Sequence, residues 1–254
     1  MASTISHPVG RLLTVALAAA FVLAGCGRDP HFEAKVHSYL IAHPEVLEEM
    51  EVALHEKQNA QMVERAKPVI FAHTKEIFND PRDPFVGPKN AKVTVVQFFD
   101  YRCPHCKAEA APGVQALIKK YPDVKFVFKD LPIFGGPSVA AARTAVGVWK
   151  SNPGDYFKAY VQMMADDDLD ESVNDPAGAA KMQASVEKIV SSLGLNPSVV
   201  DAAGASTDAT AQLSDNQKLF AELGLDGTPA FVIGDTVVSG ADMGRVEDLI
   251  KKGR

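Results

Sequence analysis

The sequence predicts an α/β fold in which a long helical insertion separates two parts of one sheet. Three consecutive segments predict a strand, a helix and a parallel strand, namely Lys92–Phe99, Lys107–Lys120 and Val124–Phe128. A second strand signal between Ala230 and Val238 is interrupted by a Gly-Asp turn, which indicates a hairpin. Between the two parts, residues from about 137 to 223 have a mostly helical pattern, and a closing helix follows the hairpin.

The N-terminus is typical of an export signal. Arg11 precedes an apolar run from Leu12 to Gly25, and its roughly 14 residues fall short of the 20 or so that a spanning helix needs. The run ends in Leu23-Ala24-Gly25-Cys26, which resembles the lipobox of bacterial lipoproteins. We therefore expect residues 1–25 to be a lipoprotein-type signal peptide and Cys26 to be acylated. The alternative is ordinary cleavage nearby, with Cys26 left as a thiol.

Residues 26–84 form a predicted N-terminal helical segment. Its apolar residues recur at mostly helical spacing, and Pro44 suits the first turn of a second helix. Pro68 is expected to break or kink that helix. The apolar stripe is narrow, which is typical of a helix that packs on its own domain or on another copy of the chain. Residues 31–80 are therefore a candidate oligomerisation surface.

The charge balance excludes two classes of partner. The 254 residues contain 32 acidic and 26 basic side chains, giving a formal net charge of −6. This balance argues against a nucleic-acid binder, because such proteins rely on Lys and Arg contacts to phosphates. It also argues against electrostatic docking on anionic lipid. Three cysteines are too few for a disulfide-stapled scaffold.

The candidate chemistry lies at Cys103-Pro104-His105-Cys106, between the first strand and its helix. Cys103 is placed at the helix N-terminus, where unpaired N–H groups and the helix dipole stabilise a thiolate. Pro104 suits the first helical position, and a protonated His105 would stabilise the thiolate further. Cys106 lies deeper in the helix and can close a disulfide ring. This spacing after a strand in a βαβ unit indicates a redox pair.

Two other interpretations of the motif are weaker. A zinc site would need a second Cys or Cys/His pair, and every histidine outside the motif lies upstream without useful spacing. A purely structural disulfide would not need the helix-terminal position. We therefore predict no metal and no dissociable cofactor, because the electrons reside in the Cys103–Cys106 pair.

The stretch from Phe98 to Lys107 resembles the active-site region of the DsbA family of thioredoxin-fold proteins. Gly227-Thr228-Pro229-Ala230-Phe231 is similar to the loop whose cis-proline faces the two cysteines in that fold. The segment from Tyr39 to Glu49 resembles the N-terminal helical region of the ScsC-like branch. The resemblance implies a thioredoxin-like fold over residues 85–254, with the helical domain inserted at about 137–223.

The resemblance also implies an exported thiol:disulfide oxidoreductase, either an oxidase or an isomerase, that acts on protein thiols and disulfides. Cys103 would exchange with the substrate, Cys106 would resolve the mixed disulfide, and Thr228 with Pro229 would present the substrate backbone. A membrane redox partner, a homo-oligomer and a periplasmic location with a lipid anchor are expected with it. The alternative is a non-enzymatic envelope lipoprotein whose thioredoxin-like domain only binds.

One position departs from the family pattern. A buried carboxylate, which handles protons for the second thiol, usually stands six positions before the first cysteine, but this chain has Gln97 there. An amide can form hydrogen bonds but cannot exchange a proton at neutral pH. We therefore expect Gln97→Glu to change the rate at which mixed disulfides are resolved.

Overall fold

A computed structural model describes residues 31–170 and 176–254. The predicted signal peptide and Cys26 lie outside these residues. The chain divides into two compact units, one up to His55 and one from Glu56 to Arg254. In the first unit, helix α1 spans Phe32–Ala42 and contains no buried residue, and helix α2 begins at Glu45. The break between α1 and α2 at Pro44 agrees with the sequence prediction.

Helix α2 spans Glu45–Ala72 and runs through Pro68, so this proline does not break the helix, which was one of the two effects expected of it. A proline inside a helix removes one backbone hydrogen bond. Here Ala66 and Ile70, on either side of it, are buried in the hydrophobic core of the second unit. Their packing holds the last turns of the helix in place despite the missing bond.

The second unit contains one five-stranded sheet, in the order β1-β3-β2-β4-β5. Its strands are β1 Phe85–Val86, β2 Thr94–Phe99, β3 Lys125–Asp130, β4 Ala230–Ile233 and β5 Thr236–Ser239. Strands β2 and β3 are parallel, and the other three pairings are antiparallel. This confirms the βαβ unit and the hairpin. Strand β1 was not predicted from the sequence, because two residues are too short to show a periodic pattern.

Helices cover both faces of the sheet. Helix α3 spans Thr74–Phe78, and a π-helical turn at Cys106–Ala110 leads into α4, Ala111–Lys120. The predicted insertion consists of α5 Gly136–Ser151, α6 Tyr156–Met164, α7 Pro176–Ser192, α8 Pro197–Gly204 and α9 Thr207–Glu222, with short 3₁₀ turns at Pro153–Asp155 and Asp167–Asp170. Helix α10, Met243–Gly253, closes the fold.

The alternation of side chains along the strands separates two hydrophobic clusters. On one face, Phe99 and Phe128 pack with Cys106 and with the aromatic residues of α6. On the other face, Phe98 and Val127 pack with Ala66, Ile70, Ile77 and residues of α9. Residues 56–84, which the sequence analysis assigns to the N-terminal segment, therefore supply part of the core of the second unit.

The second face also contains a buried ion pair. The Lys129 ammonium donates to a carboxylate oxygen of Asp83, and both side chains are almost fully buried. The Gln212 amide donates to the other oxygen of Asp83 at 3.3 Å. This network ties the segment before β1 to β3 and α9.

Candidate active site

Cys103 lies immediately before a helix that begins at Pro104, as the sequence predicts. Its backbone N–H donates to the Asp100 carbonyl at 3.1 Å, and its carbonyl accepts from the Lys107 N–H at 3.0 Å. Pro104 occupies a position whose N–H would have no partner within the helix. The sulfur of Cys103 is thus placed at the positive end of the helix dipole.

The structure brings Cys103, Cys106 and Thr228 together. The Cys106 backbone N–H donates to the Cys103 sulfur at 3.4 Å, and the Cys103 thiol donates to the Thr228 carbonyl at 3.0 Å. The Thr228–Pro229 peptide bond is cis, which confirms that expectation. Both cysteines are in the reduced form and are only 2% and 0% exposed.

The pKa values of the two thiols are shifted in opposite directions. The pKa of Cys103 is lowered to about 6, and the hydrogen bond with the Cys106 thiol is the largest cause. Burial of Cys103 acts in the opposite direction. Thr228 and the backbone N–H groups of Cys106 and His105 lower it further. Burial, followed by the hydrogen bond to Cys103, raises the pKa of Cys106 far above its ordinary value. At neutral pH Cys103 is therefore the more acidic of the two thiols, and the buried Cys106 thiol stays protonated.

His105 points outward, with its side chain 71% exposed. Its Nδ1 lies 2.8 Å from Oε1 of Glu109, one helical turn later. The hydrogen bond to Glu109 is the main cause of a raised His105 pKa, and the charge of Cys103 adds to it. The imidazolium form is therefore favoured next to the thiolate, although its exposure to solvent keeps this interaction weak.

Asp100 joins the cysteine loop to a second loop. Its carboxylate accepts the Arg102 N–H at 2.8 Å, the Ile133 N–H at 2.7 Å and the Phe134 N–H at 3.2 Å. Ile133 and Phe134 are both partly exposed apolar residues. This role of Asp100 was not predicted from the sequence. The only local signal was an aspartate placed directly after a buried strand.

Gln97 lies on the same face of the sheet as Cys106 and is buried. Its Oε1 accepts a hydrogen bond of 3.1 Å from the hydroxyl of Tyr160. The position therefore holds an amide paired with a tyrosine, as the sequence departure indicates. Within residues 31–170 and 176–254, no three His, Cys, Asp or Glu side chains are grouped so that they could hold a metal ion.

Two family models match parts of this chain. A profile described as thioredoxin matches residues 79–252, which is more than half of the chain. The chain belongs to the thioredoxin family. A second profile, described as the N-terminal domain of copper resistance protein ScsC, matches residues 31–61. The resemblance to the ScsC-like branch and the thioredoxin-like fold are thereby confirmed.

Three relatives of this thioredoxin-family chain illustrate the similarity. It is 26% identical to disulfide bond formation protein D of Bacillus subtilis over 66% of this chain and 76% of that protein. The catalytic domain of Proteus mirabilis ScsC is 30% identical to this chain, with a TM-score of 0.61. The match covers 74% of this chain and 97% of that domain. The thiol-disulfide exchange protein α-DsbA2 of Wolbachia pipientis is 25% identical to this chain, with a TM-score of 0.65. The match covers 76% of this chain and 98% of that protein.

Among the described residues, no helix combines the length and the apolar character needed to cross a bilayer.

Proposed function

We propose that this chain is an exported thiol:disulfide oxidoreductase that acts on proteins through Cys103-Pro104-His105-Cys106, without a dissociable cofactor. The observation that carries the proposal is the environment of one sulfur. Cys103 is acidified at a helix N-terminus and lies 3.0 Å from the carbonyl of Thr228, directly before cis-Pro229. The names of the relatives, a disulfide bond formation protein and a thiol-disulfide exchange protein, support the same chemistry.

The exchange has two steps. The Cys103 thiolate attacks one sulfur of a substrate disulfide, so a mixed disulfide forms and the other substrate sulfur leaves as a thiolate. Cys106 then loses its proton and attacks the Cys103 sulfur, which forms the internal disulfide and releases the second substrate thiolate. Two electrons pass to the substrate. The reverse sequence oxidises a substrate dithiol. In both directions the backbone at Thr228 and Pro229 holds the substrate chain.

We favour isomerisation over oxidation. The Cys103 pKa of about 6 lies nearer to the value of about 7 known for thioredoxin than to the value of about 3.5 known for DsbA. The exposed apolar residues in the N-terminal unit favour an assembly with several sites. An oxidase would instead depend on re-oxidation by a membrane redox partner. The histidine at position 105, inside the motif, is the feature that favours oxidation.

Two ribonuclease assays separate these directions. Isomerisation predicts that the chain reactivates scrambled ribonuclease faster than it oxidises reduced ribonuclease, and that Cys103→Ala abolishes both activities. Faster oxidation of the reduced substrate would identify an oxidase. A chain that performs neither reaction and does not reduce insulin would be the non-enzymatic binding lipoprotein.

Substrates can be captured as mixed disulfides. Cys106→Ala removes the resolving thiol, so exported proteins should stay attached to Cys103. The adducts should disappear on reduction and should be absent from the Cys103→Ala, Cys106→Ala double variant. Adducts that persist in the double variant would show that another group makes the attachment.

We also propose a periplasmic location with a lipid anchor at Cys26. Labelled fatty acid should be incorporated into the full chain and should be lost in Cys26→Ser, while Cys103→Ser serves as a matched control that keeps the label. Labelling that persists in Cys26→Ser would contradict the anchor. The relatives include a protein described as periplasmic, which supports the location.

The N-terminal unit is the proposed surface for homo-oligomerisation. Its exposed apolar side chains belong to Phe32, Val36, Tyr39, Ile41, Leu47, Met50, Val52 and Leu54. Exposed apolar residues concentrated in one segment are typical of an interaction surface. The solution mass of the full chain should exceed that of one copy and should fall in a Tyr39→Glu, Leu47→Glu variant but not in Glu48→Ala. An unchanged mass would contradict this surface.

A further inference from the structure

Glu109 lies one helical turn after His105 and is the hydrogen-bond partner of its imidazole. The Oε1 atom of Glu109 is 2.8 Å from the Nδ1 atom of His105, and both side chains are exposed. His105 has α-helical backbone angles, and Glu109 lies inside the π-helical turn Cys106–Ala110. Residues four apart on a helix are neighbours on its surface, so the backbone brings the two side chains together. The imidazole is therefore held along the solvent side of the helix.

The same imidazole forms no hydrogen bond with the nucleophile. Within residues 31–170 and 176–254, the Cys103 sulfur is hydrogen-bonded with the backbone N–H of Cys106 and the carbonyl of Thr228, and not with the His105 ring. The backbone N–H of His105 helps to lower the pKa of Cys103, but the main causes of that shift do not include its ring. The cation that the motif supplies is thus directed at a carboxylate instead of the thiolate.

A paired imidazolium acts differently on the thiolate from an unpaired one. The groups that act on the His105 charge are Glu109 first and Cys103 second. An imidazolium attracts the negative charge of the Cys103 sulfur, but a carboxylate bound to that imidazolium adds a repulsion from nearly the same place. Glu109 therefore keeps His105 protonated and also cancels most of the attraction that the proton would provide.

We infer that Glu109 withholds the charge of His105 from Cys103 and thereby makes the Cys103–Cys106 disulfide a weaker oxidant. This inference rests on the proposed function. Glu109 is a positioning residue in this scheme, because it acts through His105. The pairing reconciles a histidine inside the motif with isomerisation, and it assigns the control of direction to the carboxylate at position 109.

The electron balance shows where the charge matters. When the chain oxidises a substrate dithiol, one substrate thiolate attacks the Cys103 sulfur, and the Cys106 sulfur leaves and takes up a proton. The second substrate thiolate then attacks the first substrate sulfur, a substrate disulfide forms, and Cys103 leaves with the electron pair as a thiolate. Two electrons pass to the chain, and the substrate gives up two protons, one to Cys106 and one to water. An unpaired cation near Cys103 would stabilise this product.

The first test measures the acid dissociation constant of the Cys103 thiol. Alkylation of the reduced full chain by iodoacetamide is followed between pH 4 and 8, with Cys26→Ser in every variant. Glu109→Gln frees the imidazole and should increase the constant about two- to fivefold, which is the range for one exposed charge interaction. The variant should fold, because the Glu109 side chain is 54% exposed.

A double-variant cycle shows whether the effect passes through His105. In a His105→Ala background, Glu109→Gln should change the constant by less than about 1.5-fold, because no imidazole is left to release. Glu76→Gln is the matched control. It removes the same charge from α3, whose Ile77 packs in the cluster on the other face of the sheet, and it should leave the constant unchanged.

The second test measures the equilibrium between the chain disulfide and glutathione at pH 6, where an imidazole with its ordinary pKa of about 6.5 is mostly protonated. Glu109→Gln should shift this equilibrium towards the reduced chain by about 1.5- to threefold, because a more acidic Cys103 stabilises the reduced form. An acidic residue in the first turn also supports a helix. A role limited to that support would change the free energy of unfolding in urea and leave the glutathione equilibrium as it is.

The outcomes distinguish the two proposals. If Glu109→Gln leaves both constants unchanged, makes Cys103 less acidic, or has the same effect in the His105→Ala background, the role of Glu109 is wrong while the oxidoreductase proposal stands. If the oxidised wild type does not exchange with glutathione, or if Cys103→Ala exchanges equally well, the proposed function itself is overturned.

Discussion

The strongest prediction concerns how Cys106 sets the acidity of Cys103. The thiol of Cys106 is the largest cause that lowers the Cys103 pKa to about 6, from an ordinary value of 9.0. Cys106→Ala removes this thiol and leaves the helix N-terminus, the backbone donors and Thr228 in place. The Cys103 pKa should therefore rise, but not to its ordinary value. Cys106→Ser keeps a donor at the same position and should retain most of the effect.

The size of the change follows from the strength of one hydrogen bond to a charged sulfur. Such a bond contributes about 1.5–3 kcal/mol, which corresponds to a rise in pKa of about 1–2 units. At pH 7 a pKa of about 6 leaves roughly 90% of Cys103 as thiolate. After the rise, the thiolate fraction at pH 7 should lie between about half and a tenth.

Alkylation by iodoacetamide as a function of pH measures this acidity directly. Cys26→Ser is included in every variant, so that Cys103 is the thiol that reacts below pH 9. At pH 7, Cys106→Ala should react about two to ten times more slowly than the parent, and Cys106→Ser should react at nearly the parent rate. A Cys103 pKa that is the same in the alanine variant, or a parent pKa close to 9, would refute the reasoning.

Three further perturbations test the surroundings of the site and the core. Glu109→Gln removes the main cause of the raised His105 pKa, so that pKa should fall towards its ordinary value in an NMR titration. Thr228→Val removes a hydroxyl that acidifies the nucleophilic sulfur, so the pKa found by alkylation should rise by about one unit or less. Asp83→Asn leaves the Lys129 ammonium buried without its counter-charge, and the free energy of unfolding in urea should fall by about 3–5 kcal/mol.

Each of these predictions has a contradicting result. An unchanged imidazole titration in Glu109→Gln would show that the hydrogen bond does not persist in solution. A lower sulfur pKa in Thr228→Val would reverse the role assigned to the hydroxyl. A loss of less than about 1 kcal/mol in Asp83→Asn would mean that the ion pair is solvated, because exposed pairs contribute only that much.

The sequence predicted the parts of the site whose signals are local. The position of Cys103 before Pro104 followed from the motif and from the proline preference for a first helical turn. The hairpin followed from a turn between two apolar runs. The cis bond before Pro229 came from the resemblance to the family, since the dipeptide by itself does not specify it.

The missed features depend on contacts between distant segments. Asp100 accepts from the backbone of Ile133, which is 33 residues later in the chain, and no local pattern encodes that pairing. No sequence pattern drew attention to Asp130, and its position on the same sheet face as Gln97 became visible once the register of β2 and β3 was known. Likewise, the burial of Ala66 and Ile70 in the core of the second unit could not be inferred from a narrow apolar stripe.

The hydrogen bonds that the Asp100 carboxylate accepts from two loops have a consequence for protein engineering. A single carboxylate holds the backbone of the cysteine loop and that of the segment carrying Ile133 and Phe134. If residues 103–106 alone were transplanted into another protein, the cysteine loop would lose the hydrogen bonds that join it, through Asp100, to Ile133 and Phe134. A chimaera that carries residues 98–107 together with residues 131–136 should therefore keep the parental conformation of the cysteine loop better than one that carries residues 103–106 alone.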